Sequence, residues 1–128
     1  MTEIPPLVVT VEGPPVPKGR PRFTRKGHAY TPRETRDYER TVGHVVGLAA
    51  TRVGWAGVHA YETGRFRVRA RIFKPTRRRM DADNVGKAVL DALNGVLWKD
   101  DSQVVFWPEH PEVDRERPRV ELVIEVMS

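Results

Sequence analysis

The chain has 128 residues, enough for one domain with a modest core. Its 22 Lys and Arg outnumber 17 Asp and Glu, leaving a net charge of +5 that suits a polyanion, nucleic acid before an anionic membrane. The absence of cysteine excludes a disulfide framework and thiolate metal sites. No apolar run is long enough to span a bilayer and the N-terminus carries no signal pattern, so a cytoplasmic protein with no membrane partner is the expectation.

"LVVTV" (Leu7 to Val11) is β-branched and bounded by prolines, which predicts a strand. The Pro- and Gly-rich stretch that follows excludes a helix, and "PRFT" and "HAYT" around Lys26-Gly27 predict a small hairpin. Lys18, Arg20, Arg22, Arg25 and Lys26 all fall on this loop. A helix is predicted next. Thr31 is its expected N-cap, Pro32 its first position and Glu34 the partner in a capping box. Tyr38, Val42, Val45, Val46 and Ala49 form its apolar stripe, and it should end near Val53-Gly54. Residues 54–64 read as a connection in which Trp55 has no obvious place.

"RFRVRARIF" alternates without interruption, with Phe66, Val68, Ala70 and Ile72 on one face and Arg65, Arg67, Arg69 and Arg71 on the other. The arginine row could read a DNA groove. The C-terminal "RVELVIEV" offers Glu121 and Glu125 on its own polar face, and cross-strand Arg–Glu pairs are the simpler explanation. After the basic loop "KPTRRRM" a second helix is predicted. Asp83 or Asn84 is its cap, Val85, Ala88, Val89 and Ala92 its buried stripe, and Asn94-Gly95 its stop. "QVVFW" is a further strand, and residues 108–118 a charged, Pro-rich loop before the last one. The order predicts a single α/β (α+β) domain over residues 1–128, a mixed β-sheet with two main helices packed on it.

The chemistry concentrates in "MDADNVGKAVLDALNGVLWKDDSQVV", residues 80–105. Asp81 and Asp83 are two apart and close carboxylates repel unless something neutralises them. If the strand after the helix runs beside the one ending at Phe73, Asp101 approaches that pair. Three converging oxygen donors with no nearby His or Cys suit a hard cation, Mg²⁺ with Mn²⁺ as a substitute. Lys87, four residues after Asp83, shares its helix face. It is either half of an ordinary surface ion pair or a cation beside a metal-bound phosphate, as phosphodiester hydrolysis requires. His28, His44, His59 and His110 have no metal-ligand spacing, and no Ser-His-Asp order or nucleotide-binding loop is present.

"DADNVGKAVLDALNGVLWKDDSQVV" resembles the RusA-type Holliday-junction resolvases, metal-dependent endonucleases of bacteria and prophages. Their pattern is D-x-D-N-x-x-K, then L/F-D-A-L, then W-x-D-D-x-Q-V, and all three blocks stand here in order. "KGRPRFT" followed by "YTP" is similar to an N-terminal loop of phage and Gram-positive members, so the resemblance runs from about Val8 to Val105. It implies a cytoplasmic, bacterial or phage-encoded homodimer of mixed α/β fold. The implied activity is paired symmetric cutting of four-way DNA junctions in recombination and repair. By position, Asp81, Asp83 and Asp101 match the family's essential acidic residues and Lys87 its lysine. Asp91 and Asp100 match less critical acidic positions, with Asp91 expected to orient Lys87. The sequence departs in one place: Lys74-Pro75 is separated from Asp81 by "TRRRM", where many relatives have Lys-Pro directly before the first Asp.

The expected substrate is therefore branched DNA, the cofactor Mg²⁺, and no nucleotide cofactor is implied. Phosphates would be gripped by Lys18, Arg20, Arg22, Arg25 and Lys26, or by Arg77, Arg78 and Arg79. Phe23 is a candidate for stacking at the junction centre, or packs the hairpin on the core. Two alternatives stand beside this reading: a less selective nuclease of forks or flaps, and a nonenzymatic DNA-binding protein whose carboxylates only cap and pair. An RNA-binding regulator is a third class, but paired aromatic stacking motifs are missing.

Overall fold

The structure, a computed structural model, describes residues 4–55 and 60–127. A mixed sheet is ordered β1 (Leu7–Glu12), β7 (Arg119–Met127), β4 (Arg65–Lys74), β5 (Val104–Pro108). A two-residue strand, β6 (Glu112–Val113), also pairs with β4, beyond β5. β1 and β4 run antiparallel to β7, whereas β5 runs parallel to β4 with Phe66 opposite Val104 and Ala70 opposite Pro108. The predicted hairpin is present as β2 (Arg22–Phe23) and β3 (Ala29–Tyr30), turning at Gly27 with φ +82°. Phe23 is exposed on it and does not pack into the core.

Two long helices, α1 (Arg33–Arg52) and α3 (Ala82–Leu93), lie together on one face of the sheet. They bury Tyr38, Val42 and Val46 from α1 and Val85, Ala88, Val89 and Leu93 from α3 against Phe66, Val68, Ile72, Leu122 and Ile124. Both ends of α1 agree with the sequence pattern to within a residue, but its cap does not. Pro32 holds the N-cap position with no side-chain bond, and Thr31 makes no cap. The short helix α2 (Ala60–Thr63) precedes β4. Trp55 is buried against Phe66, and its indole N–H donates to the Pro5 carbonyl at 3.1 Å, tying the 54–64 connection to the start of β1. His59 lies outside the described residues.

The open face of the sheet carries the arginine row, and its partners are glutamates. Arg67 meets Glu125 at 2.7 Å, Arg71 meets Glu121 at 3.3 Å, and the antiparallel register sets each pair directly opposite. The cross-strand explanation of this alternation holds. Residues 108–118, expected as a loop, contain β6, too short to leave a periodic signal.

β4, α3 and β5 form a parallel crossover, and one contact fixes how closely it packs. A Cβ built on Gly86 would lie 2.1 Å from the Phe106 ring, so the helix backbone rests on that ring. Gly86→Ala should therefore cost about 1–3 kcal/mol through overpacking. Thermal unfolding should show a lowered midpoint, partly restored by adding Phe106→Leu.

Candidate functional site

The site builds from the first turn of α3. Asp81 is the N-cap, in place of the predicted Asp83 or Asn84. Its Oδ1 accepts the backbone N–H groups of Asp83 at 2.9 Å and Asn84 at 3.4 Å. These bonds satisfy orphan donors of the helix start and fix the orientation of the carboxylate. Among the described residues Oδ2 has only the Asn84 amide, at 3.5 Å. Asp83 follows on the first turn and Lys87 one turn on, both exposed. Among the described residues neither forms an ion pair within 4.0 Å, so the ordinary surface-pair explanation of Lys87 finds no support in its surroundings.

Asp101 does not join them. The crossover carries the chain from the C-terminal end of β4, where Asp81 lies, along 12 residues of α3 and back to the N-terminal end. Asp101 opens a short 3₁₀ turn (Asp101–Gln103) just before β5, and the Gln103 amide there donates to the Gly64 carbonyl at 2.8 Å, next to the first residue of β4. A helix of that length spans about 18 Å. The strand does run beside β4, as expected, but its parallel sense sends Asp101 to the opposite end. Among the described residues, no three Asp, Glu or His side chains gather closely enough to hold a metal ion. The oxygen donors suit Mg²⁺ in kind, but one chain brings together only two of the three. Asp100 has a structural duty. It caps the 3₁₀ turn, and bonds from Ser102 hold its carboxyl below the ordinary value.

Lys18 and Asp91 take roles that the sequence did not signal. The Lys18 ammonium lies 2.6 Å from Glu39 of α1 and 2.9 Å from Asp91 of α3. Asp91 thus pairs with Lys18, in place of the expected partner Lys87. Burial works against the Lys18 charge, but the two carboxylates outweigh it and raise its pKa above the ordinary lysine value. Its backbone N–H also donates to the Asn84 carbonyl at 2.8 Å, and the Gly19 N–H to the Thr35 hydroxyl at 3.1 Å. The Lys18 charge is engaged as a clamp between the two helices, and the residue also lines a cleft with Arg20 and Arg22. Only the long-range fold could reveal this, since Glu39 and Asp91 are far from Lys18 in sequence.

Beyond the clamp, the two basic segments that the sequence offered as alternatives face each other. Arg20 and Arg22 from the N-terminal loop and Arg78 and Arg79 from the loop before α3 line one cleft of about 690 Å³. Arg25 and Lys26 project from the exposed hairpin tip beside it, and Arg77 is exposed on the second loop. Lys74, Arg79 and Met80 also line a smaller cleft of about 410 Å³ that contains Asp81, Glu109 and His110. The basic cleft therefore adjoins the one at the start of α3 through these three residues, while Asp83 and Lys87 line neither. The sequence does not single out Glu109 and His110 as site residues, and only the parallel pairing of β5 brings them beside Asp81.

The arrangement of carboxylates at a helix start, a lysine one turn on and an adjoining basic cleft is now joined by two comparisons. The family model described as endodeoxyribonuclease RusA matches residues 12–125. The chain belongs to the RusA family. It is also 31% identical over 137 aligned residues to the uncharacterized protein YqaN of Bacillus subtilis (strain 168), covering 93% of this chain and 95% of that one. RusA-family nucleases are generally metal-dependent and their substrate is DNA. No helix among the described residues is long and apolar enough to cross a membrane.

The clamp and the cleft separate experimentally. Lys18→Met should lower stability by about 1–2 kcal/mol, since it strands two carboxylates, and a denaturant titration would measure it. Arg20→Ala with Arg22→Ala should leave stability nearly unchanged. DNA affinity should fall, and its salt slope should flatten by about one for each phosphate that is no longer neutralised.

Proposed function

We propose that the protein is a Mg²⁺-dependent endodeoxyribonuclease that resolves four-way DNA junctions by paired, symmetric phosphodiester hydrolysis, acting as a two-fold homodimer. One observation carries the reading: the cleft lined by Arg20, Arg22, Arg78 and Arg79 shares Lys74, Arg79 and Met80 with the cleft that contains Asp81 at the start of α3. Phosphate held in that cleft would lie near the neighbouring cleft that contains Asp81, as hydrolysis of a backbone ester requires.

Asp81, Asp83 and Asp101 are the residues that would hold the metal. When bound there it supplies activation of water and neutralisation of phosphate charge. The protein's own groups do the rest. Asp81 is held in one orientation by the helix N–H groups, so its second oxygen is set in advance. Lys87, without an ion-pair partner among the described residues, offers its ammonium to the negative charge that develops on the phosphate. Arg20, Arg22, Arg78 and Arg79 hold the backbone through charge that carries no sequence information. Arg25, Lys26 and Arg77 extend the grip, and Lys18 holds the N-terminal loop in place for them.

The separation of Asp101 from the pair supports the dimer. A junction has two strands of like polarity to cut and one chain has one acidic pair, so two copies related by a two-fold axis are the simplest assembly. In that assembly Asp101 of each copy would complete the acidic set of the other.

Cleavage of a synthetic four-way junction should require Mg²⁺, stop with EDTA, and exceed cleavage of a matched linear duplex. Lys87→Ala should depress cleavage far more than affinity. Asp83→Asn and Asp101→Asn should each be inactive yet still bind the junction. Mixing the two variants should restore activity, because each mixed dimer then holds one site with all three aspartates. Random reassortment with one live site per mixed dimer gives roughly a quarter of wild-type sites, and the product should be nicked, not doubly cut. A mixture as inactive as its components would remove the shared site, and equal cutting of junction and duplex would remove the resolvase reading.

A further inference from the structure

We infer that His110 is a substrate contact of the proposed reaction, its imidazole N–H donating to a phosphate oxygen of the DNA backbone in the cleft that contains Asp81. The inference deepens the nuclease reading above and rests on it, but His110 has no part in the set of residues given there. Its evidence begins with the way the chain delivers the ring. β5 and β6 both pair in parallel with β4, one after the other. β4 advances three residues from Ala70 to Phe73, while their partners Pro108 and Glu112 are four apart. The one extra residue makes a bulge in the pairing. Bulges bend a strand and re-aim a side chain, and they are enriched beside active sites.

The bulge is pinned at both ends. The Glu109 N–H donates to the Ala70 carbonyl of β4 at 2.8 Å, and the Glu109 carboxylate meets Arg71 at 3.1 Å. Beyond β6, the Asp114 N–H donates to the Lys74 carbonyl at 2.8 Å. Pro108 and Pro111 have fixed φ, and the residue before a proline is held to extended backbone, which here is His110 itself. The carboxylate next to His110 in sequence is thus already paired, and the exposed ring forms no ion pair among the described residues.

His110 lines the cleft of about 410 Å³ with Lys74, Arg79, Asp81 and Glu109. The two carboxylates have other partners: Glu109 answers Arg71, and Asp81 caps α3 and belongs to the metal set of the reading above. A phosphate that enters finds three side-chain donors, Lys74, Arg79 and His110. Lys74 and Arg79 are long and flexible and also line the basic cleft, with the Lys74 ammonium donating to the Arg78 carbonyl at 3.1 Å. His110 is a short ring on a pinned bulge, and an imidazole keeps an N–H donor whether or not it is charged. Flexible cations attract a phosphate, whereas a fixed donor orients it, and orientation matters more to the chemical step than to affinity.

Single-turnover cleavage of a four-way junction at saturating protein separates the chemical step from binding. His110→Ala and His110→Phe should each slow it about ten- to a hundredfold, the weight of one hydrogen bond to a charged group, while junction affinity changes far less. His110→Asn or His110→Gln, which return an N–H near the place of one ring nitrogen, should recover much of the rate. Circular dichroism should show wild-type folding in all four, since the ring is exposed. A ring that only packs is replaced best by Phe, so a Phe variant faster than both amide variants overturns the inference, as does an Ala variant that cuts at the wild-type rate. A second readout uses no activity. The chain has four histidines, and the imidazole NMR signal missing from His110→Ala identifies that of His110. This signal should shift when a short four-way junction is added to Asp83→Asn protein with Mg²⁺ present, and an unmoved signal overturns the contact. The two failures differ. Wild-type protein that cuts no DNA while the His110 signal moves loses the nuclease reading and keeps the contact. Protein that cuts the junction equally well as His110→Ala keeps the nuclease reading and loses the contact.

Discussion

The parallel sense of β5 against β4 governs the rest of the molecule. Parallel neighbours need a crossover, and here α3 is that crossover, so its two ends lie at opposite ends of the strands. Asp81 and Asp83 are bound to one end and Asp101 to the other by topology alone. No loop adjustment closes a gap set by 12 residues of helix. The Phe106 ring under Gly86 makes the arrangement rigid, because the helix backbone lies directly on a β5 side chain. The acidic residues, so near in sequence pattern, are kept apart by the element that joins them.

Much of the fold was legible because alternation and helical stripes are local. β4 alternates over its full length, and β7 supplies glutamates at the registers where β4 supplies arginines. The helix ends at Val53-Gly54 and Asn94-Gly95 carried their own stop signals, with positive φ at both glycines. The caps were harder to read. Thr31 and Asp83 had the right chemistry, but Pro32 and Asp81 hold the positions, since a shift of one or two residues leaves the pattern of polar side chains almost unchanged.

The site was legible in composition and not in geometry. Asp81, Asp83, Lys87 and Asp101 were identified as a set by the motif, but a motif carries no direction for the strand that follows. An antiparallel return would have brought Asp101 toward Asp81, whereas the parallel return does the opposite. Lys18 was hidden for a similar reason. It stands among Arg20, Arg22, Arg25 and Lys26 and shares their charge, and only the packing of α1 on α3 places Glu39 and Asp91 around it. Proximity in sequence groups five cations, of which the fold gives Lys18 two carboxylate partners.

That division also explains what the net charge of +5 means. A count of charges says nothing about where cations are free to act. On the open face of the sheet Arg67, Arg69 and Arg71 are met by Glu109, Glu121 and Glu125, and at the neighbouring turn Arg117 and Arg119 are met by Glu12, Asp114 and Glu121. Those arginines are neutralised locally and project little field. Arg20, Arg22, Arg78 and Arg79 have no carboxylate within ion-pair distance among the described residues, and they face one cleft. Cations grouped along a cleft reinforce one another, and their potential reaches about a Debye length, roughly 8 Å at physiological salt. The excess charge is thus concentrated in a cleft next to the one that contains Asp81. The arginine row is a structural feature of the sheet, and the cleft arginines, which have no carboxylate partners among the described residues, lie on the basic loops on either side.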